Sequence, residues 1–156
     1  MLKEQEMAPS FEALDQNRRR VRLTDFRRRQ NVVLYFYPQD DTPGCTVEAS
    51  QFSALADEFA KVNTVVLGIS RDSWESHQAF IAKHGLRVTL LSDTAGVVCD
   101  RYGVWQVMEK NGERKMGIVR STFLIDRDGR LAAVEYGVNA DGHAAQMLEK
   151  ASALCE

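Results

Sequence analysis

Apolar residues along this chain change their spacing repeatedly, and each change marks an element. Residues 32–37, Val-Val-Leu-Tyr-Phe-Tyr, make a short unbroken run of β-branched and aromatic side chains, which predicts a buried strand. Ala49, Phe52, Leu55 or Ala56, and Phe59 then recur every three to four residues and predict a helix over about 43–61. Residues 64–70 form a second buried strand. Ser73 opens a second helix with Trp74, Phe80 and Ile81 on its apolar face, closed near His84-Gly85. A short strand follows at 88–91 and a short helix within 93–103. Residues 104–119 predict a hairpin turning at Asn111-Gly112. Strands at 121–125 and 131–136 are joined by Asp126-Arg127-Asp128-Gly129, and a last helix runs over about 142–154 with Asp141 as its N-cap. Before all of these, residues 8–23 predict a small hairpin around Asp15-Gln16-Asn17, followed by a helical turn at Thr24-Asp25-Phe26. The order predicts one α/β domain over 1–156, a mixed sheet with helices on both faces.

The stretch between the first buried strand and the first helix carries the candidate chemistry. It reads Pro38-Gln39-Asp40-Asp41-Thr42-Pro43-Gly44-Cys45. Thr42 suits an N-cap and Pro43 the first helical position, so Cys45 falls in the first turn. There the free N–H groups and the positive end of the helix dipole stabilise a thiolate, the nucleophilic form of cysteine. Such helix starts just past a strand are where α/β folds place ligands. The alternative is a structural buried cysteine.

Pro38, Thr42 and Cys45 match the Pro-x-x-x-Thr-x-x-Cys signature of peroxiredoxins. The longer string from Phe36-Tyr37-Pro38 to Thr42-Pro43-Gly44-Cys45-Thr46 resembles the bacterioferritin comigratory protein (peroxiredoxin Q) subfamily, and Ala8-Pro9, Phe11 and Leu23-Thr24-Asp25-Phe26 are similar to the family's opening. The resemblance implies a thioredoxin-like fold, a central mixed sheet flanked by helices with the peroxiredoxin N-terminal hairpin. It implies a thiol peroxidase that reduces hydrogen peroxide and organic hydroperoxides through a sulfenic acid at Cys45. Thr42 would hold the peroxide and Pro38 would shape the loop over the sulfur. Arg120 opens Arg-Ser-Thr-Phe-Leu-Ile, similar to the family segment that carries the active-site arginine. Its fork of donors suits a thiolate and a peroxide. Gly44 and Cys45 N–H groups are candidate oxyanion donors. Glu48, one turn past Cys45, would orient Arg120 or simply face solvent. Tyr37 and Trp105 are candidates to line the pocket, with core packing the stronger reading, and Tyr37 stands with Gly44 and Glu48 as a candidate substrate contact.

The departures from the family pattern bear on turnover. Relatives carry a resolving cysteine five residues after the peroxidatic one or in the following helix, and here those places hold Ser50 and Ile81. The remaining thiols are Cys99, expected on the short helix as a structural residue, and the penultimate Cys155. Either is a possible resolving thiol, and a one-cysteine cycle is the leading expectation. The reductant is then an external thiol: thioredoxin, glutaredoxin or a low-molecular-weight thiol. Thiol–disulfide exchange or holdase-like binding on the same fold is the alternative, weakened by the lack of Cys-x-x-Cys.

Composition narrows this further. With 20 basic against 22 acidic residues there is no electrostatic case for nucleic acid or a membrane surface, and the arginines at 18–22 and 27–29 read as solvated turns. His77, His84 and His143 fall at no ligand spacing, so neither a metal nor another cofactor is expected. No run is long enough to span a membrane, the first residues lack a signal-peptide core, and three widely spaced cysteines fit a reducing cytoplasm. A monomer or weak dimer is expected.

Overall fold

In a computed structural model, described here for residues 1–154, the strands β1 (Glu12–Leu14), β2 (Arg20–Arg22), β3 (Asn31–Phe36), β4 (Thr64–Ser70), β5 (Thr89–Ser92), β8 (Ser121–Ile125) and β9 (Leu131–Tyr136) form one sheet in the order β2-β1-β5-β4-β3-β8-β9. β3, β4 and β5 run parallel, joined by helical crossovers, while β8, β9, β1 and β2 add antiparallel strands at the two sides. β3 lies near the middle and is buried along its whole length. Its pleat therefore feeds two cores. Val33 and Tyr35, with Tyr37 just beyond, face one core together with Cys45, Phe52, Phe59, Phe80 and Met147. Val32, Leu34 and Phe36 face the other with Ile69, Cys99, Tyr102 and Phe123.

The helices are α1 (Pro43–Ala54), α2 (Ala56–Lys61), α3 (Trp74–His84), α4 (Val97–Arg101) and α5 (His143–Leu154). The single helix expected over 43–61 is in fact two. At Leu55 the backbone opens to φ −100°, ψ 9°, and its N–H is shared between the carbonyls of Gln51 and Phe52. The bend lets α1 pack on α5 and α2 on β4, and brings the buried rings of Phe52 and Phe59 to 5.9 Å. α3 is capped as its sequence predicts: Ser73 Oγ accepts from Ser76 N–H, and Gly85 closes the helix at φ 61°, a conformation glycine enters without strain. α5 begins at His143, so Asp141 stands one residue before the cap position, and its carboxylate accepts from Gln51 Nε2 at 2.7 Å.

Two further strands, β6 (Trp105–Lys110) and β7 (Glu113–Ile118), pair only with each other as a separate hairpin. The Asn111-Gly112 turn has positive φ at both residues, 55° and 79°, the geometry of the tight hairpin turn expected there. β7 ends two residues before Arg120, so the hairpin delivers that arginine to the start of β8. No helix among the described residues is long and apolar enough to cross a membrane.

Candidate active site

Cys45 sits in the first turn of α1, where β3 ends. The first bond of the helical ladder is donated by Thr46 N–H to Thr42 O at 2.9 Å, so the N–H groups of Gly44 and Cys45 precede the ladder. The cysteine is 1% exposed. Arg120 arrives from the sheet side: its Nη2 lies 3.4 Å from Cys45 Sγ, and its Nη1 lies 2.6 Å from Glu48 Oε1. One guanidinium fork therefore spans the sulfur and a carboxylate one helical turn further on.

Glu48 is wholly buried, which removes the solvated-face reading. Its second oxygen, Oε2, has no hydrogen-bond partner among the described residues. Burial pushes its carboxyl up to about 7, against the opposing pull of Arg120. Arg120 is half-buried, and burial works against its charge, yet Glu48 and Cys45 hold the guanidinium above its ordinary value. The cation is thus fixed beside the sulfur at neutral pH.

Gly44 contributes room as well as an N–H. A Cβ at this position would stand 3.1 Å from Arg120 Nη2, so a side chain there would push on the guanidinium. Thr42 occupies the N-cap position but its side chain does not cap. The hydroxyl donates back to Gln39 O at 2.9 Å, leaving its oxygen lone pairs as acceptors. Pro38 is exposed on the loop, beside the cleft formed by Arg71, Trp105, Met108 and Met116.

Tyr37 is the correction among the proposed substrate contacts. It is 1% exposed in the core, and its hydroxyl is turned inward to donate to Asp40 Oδ1 at 2.6 Å, away from any ligand. Trp105 is partly buried under the Arg71 guanidinium, 4.5 Å from the ring centroid. Two residues that the sequence reading passed over join the site's support. Asp40 and His77 are buried against each other, with His77 Nδ1 2.8 Å from Asp40 Oδ2. Neither lies at a metal-ligand spacing, though His77 falls in the Trp74–Phe80–Ile81 stripe of α3. The available signal was an acidic pair directly before the Thr-Pro helix start, and a histidine on the inner face of the next helix.

The other thiols lie elsewhere. Cys99 is fully buried in the core on the opposite face of the sheet from Cys45. Its N–H donates to Asp93 Oδ2 at 2.8 Å, and burial together with that carboxylate pushes its thiol far above the ordinary cysteine value. Ser50 is exposed on α1 and Ile81 half-buried on α3. Cys155 lies outside the described residues.

A profile of the AhpC/TSA family matches residues 5–134. Peroxiredoxin Bcp of Escherichia coli K12 is 44% identical over 133 residues, covering 85% of each chain, and peroxiredoxin Bcp of Bacillus subtilis is 40% identical over 142 residues, covering 91% of this chain and 90% of the relative. The chain belongs to the peroxiredoxin family. Solved structures agree. The Xanthomonas campestris bacterioferritin comigratory protein, studied for its alkyl peroxide reduction activity, superposes with a TM-score of 0.88 at 34% identity, covering 94% of this chain and 92% of its own. Peroxidoxin BcpB of Mycobacterium tuberculosis superposes with a TM-score of 0.87 at 35% identity, covering 99% of each chain. This peroxiredoxin is a thiol-dependent peroxidase with the thioredoxin-like fold, using a peroxide as oxidant and a thiol as reductant.

Proposed function

We propose that Cys45 is the peroxidatic sulfur of a one-cysteine cycle that reduces hydrogen peroxide and organic hydroperoxides. The observation that carries the reading is the Arg120 fork, 3.4 Å from Cys45 Sγ at a helix start. The Cys45 thiolate attacks the nearer peroxide oxygen, and the O–O bond breaks. The sulfur loses two electrons and becomes a sulfenic acid, and the departing hydroxide or alkoxide takes up a proton and leaves as water or alcohol. Arg120 Nη2 and the N–H groups of Gly44 and Cys45 stabilise the charge that moves from sulfur to oxygen. The Thr42 oxygen accepts the peroxide O–H, and Pro38 shapes the loop above. Glu48 holds the guanidinium in place.

Reduction then proceeds with an external thiol. The first thiol condenses with Cys45–SOH to a mixed disulfide and water. A second thiol displaces it, leaving the Cys45 thiol and an external disulfide. Two features support an external reductant. Ser50 and Ile81 provide no sulfur at the positions relatives use. Cys99 is separated from Cys45 by the sheet, whereas a disulfide needs Cα atoms within about 7 Å. Thioredoxin, glutaredoxin and low-molecular-weight thiols all fit the second half of the cycle. The reading treats residues 1–156 as one domain, a monomer or weak dimer in a reducing cytoplasm.

The test is mass spectrometry of the reduced protein after one equivalent of hydrogen peroxide. Cys45 trapped by dimedone in most molecules is the expected outcome, with the same adduct in Cys99→Ser and none in Cys45→Ser. Loss of two mass units, mapped to a peptide pair joining Cys45 to Cys99 or Cys155, overturns the one-cysteine cycle.

A further inference from the structure

The loop that carries the start of α1 is short of backbone support. After Tyr37 N–H donates to Ile69 O, the parallel ladder ends, and Asp41 adopts a left-handed φ of 58°. What holds the loop is the helix beside it. Asp41 meets Lys83 Nζ at 2.6 Å and His84 Nε2 at 2.7 Å at the exposed end of α3. Asp40 turns inward and meets the first half of α3. Its Oδ1 accepts from Tyr37 Oη at 2.6 Å, and its Oδ2 accepts from Ser76 Oγ at 2.7 Å and faces His77 Nδ1 at 2.8 Å. Asp40 N–H donates to Asp72 Oδ2 at 2.9 Å, itself bound by Ser70 Oγ at 2.7 Å.

The hydrogens around His77 can be counted. Nε2 faces the Leu91 carbonyl oxygen at 3.0 Å, which only accepts. Nδ1 faces Asp40 Oδ2 and, at 3.3 Å, Tyr37 Oη. The single hydrogen of Tyr37 and that of Ser76 are both spent on Asp40. Both ring nitrogens therefore face acceptors, and a neutral imidazole has only one N–H to give. His77 is completely buried, so the proton between Nδ1 and Asp40 Oδ2 is held within the pair and away from water. Asp72, through the Asp40 N–H, is the other carboxyl group on this side.

Resting on the reading of Cys45 as the reactive sulfur, we propose that His77 is a positioning residue for peroxide attack, a buried imidazole paired with Asp40 that fixes the loop leading to Thr42 and Cys45. It touches neither sulfur nor substrate. Its effect runs through Asp40 to the loop, and from the loop to the first turn of α1. The pair is sealed between β5, α3 and the loop, so both partners must be present or both replaced: a buried charge left alone is costly, while removing both leaves an ordinary polar contact.

Two measurements test this. In the reduced wild-type protein, nitrogen-edited proton NMR of labelled histidines is expected to show the His77 ring proton shared with Asp40 exchanging slowly with water, a state read without any turnover. A His77 ring proton that exchanges as fast as that of the exposed His84 overturns the proposal. In rapid-mixing kinetics with hydrogen peroxide, His77→Gln is expected to slow Cys45 oxidation on the order of 10- to 100-fold, the effect of displacing a reacting group by about an ångström. The double variant Asp40→Asn/His77→Gln is expected to recover most of that loss, because the stranded carboxylate is gone. A double variant as slow as His77→Gln alone, or a single variant as fast as wild type, overturns it. Peroxide consumption that survives Cys45→Ser overturns instead the underlying assignment of the sulfur, and leaves the proton exchange of His77 to be judged by itself.

Discussion

Replacing Glu48 by Gln isolates the charge of a carboxylate that has almost no access to water. Its Oε1 is bound to Arg120 Nη1, and its Oε2 has no hydrogen-bond partner among the described residues. Burial outweighs the guanidinium and lifts the carboxyl from 4.5 to about 7. The folded chain thus holds this proton more tightly than the unfolded chain. Its contribution to stability is complete below about pH 4.5 and is lost as pH rises through about 7. At about 1.4 kcal/mol per pH unit, the span from 4.5 to about 7 is worth about 3 kcal/mol. Linkage puts most of this, about 2–3 kcal/mol, between pH 5 and pH 8. Gln keeps an oxygen for Arg120 Nη1 and has no proton to lose. Urea unfolding of the reduced wild type and of Glu48→Gln, at several pH values across that range, gives the difference directly, since all other titrating groups are common to both. The wild type is expected to lose about 2–3 kcal/mol relative to the variant, a relative fall in Tm of roughly 5–10 °C for a chain of this size. Parallel stability curves would refute the reasoning, showing that Arg120 fully offsets burial and that Glu48 is ionised throughout.

Three other outcomes follow from the same geometry. Arg120→Lys loses the fork that reaches Glu48 and Cys45 together, and stopped-flow oxidation by hydrogen peroxide is expected to slow about 10- to 100-fold, the worth of a charge-assisted contact; an unchanged rate would make Arg120 a structural residue. Gly44→Ala sets a methyl 3.1 Å from Arg120 Nη2, so oxidation is expected to slow while thermal stability holds or rises, because Ala favours the helix by up to about 1 kcal/mol; a normal rate would show that the guanidinium gives way freely. Ser50→Cys restores sulfur five residues after Cys45, but in a regular helix such Cα atoms are about 8–9 Å apart. A disulfide between them after peroxide treatment is therefore expected to bring a loss of helical circular dichroism, and its formation without that loss would contradict the described α1.

Much of this arrangement was legible in the chain, for identifiable reasons. β3 is apolar on both faces because both cores need it, so a short unbroken run was a dependable strand signal. Ser73 and Gly85 bounded α3 through local chemistry that needs no tertiary context. The Thr-Pro-Gly-Cys start put Cys45 in the first turn for the same reason. What failed was set by side chains from distant segments. Gln51 claimed Asp141, and Gln39 O claimed the Thr42 hydroxyl, so neither potential cap was used. The break at Leu55 came from α5 and β4 pulling the two halves of an otherwise continuous helical pattern onto different surfaces. Glu48 could be read as an orienter of Arg120 or as a solvated residue, and only the fold, bringing Arg120 from 72 positions away, decided between them. His77 sat in the inner stripe of α3, but nothing in the spacing tied it to Asp40, because their pairing depends on how a loop lies across a helix.

In the proposed one-cysteine cycle, the seven-stranded sheet, which places Cys45 and Cys99 in separate cores, would also govern the lifetime of the oxidised enzyme. With an internal partner within reach, disulfide closure would be a first-order event with a fixed clock. Without one, the sulfenic acid would persist until a thiol diffuses in, so its half-life would vary inversely with thiol concentration. A second peroxide molecule competes for the same sulfur and drives it irreversibly to the sulfinic acid. The ratio of peroxide to thiol thus sets how many cycles each molecule completes before it is lost. A wall of β-structure turns a barrier to disulfide closure into a meter of the cell's reducing supply.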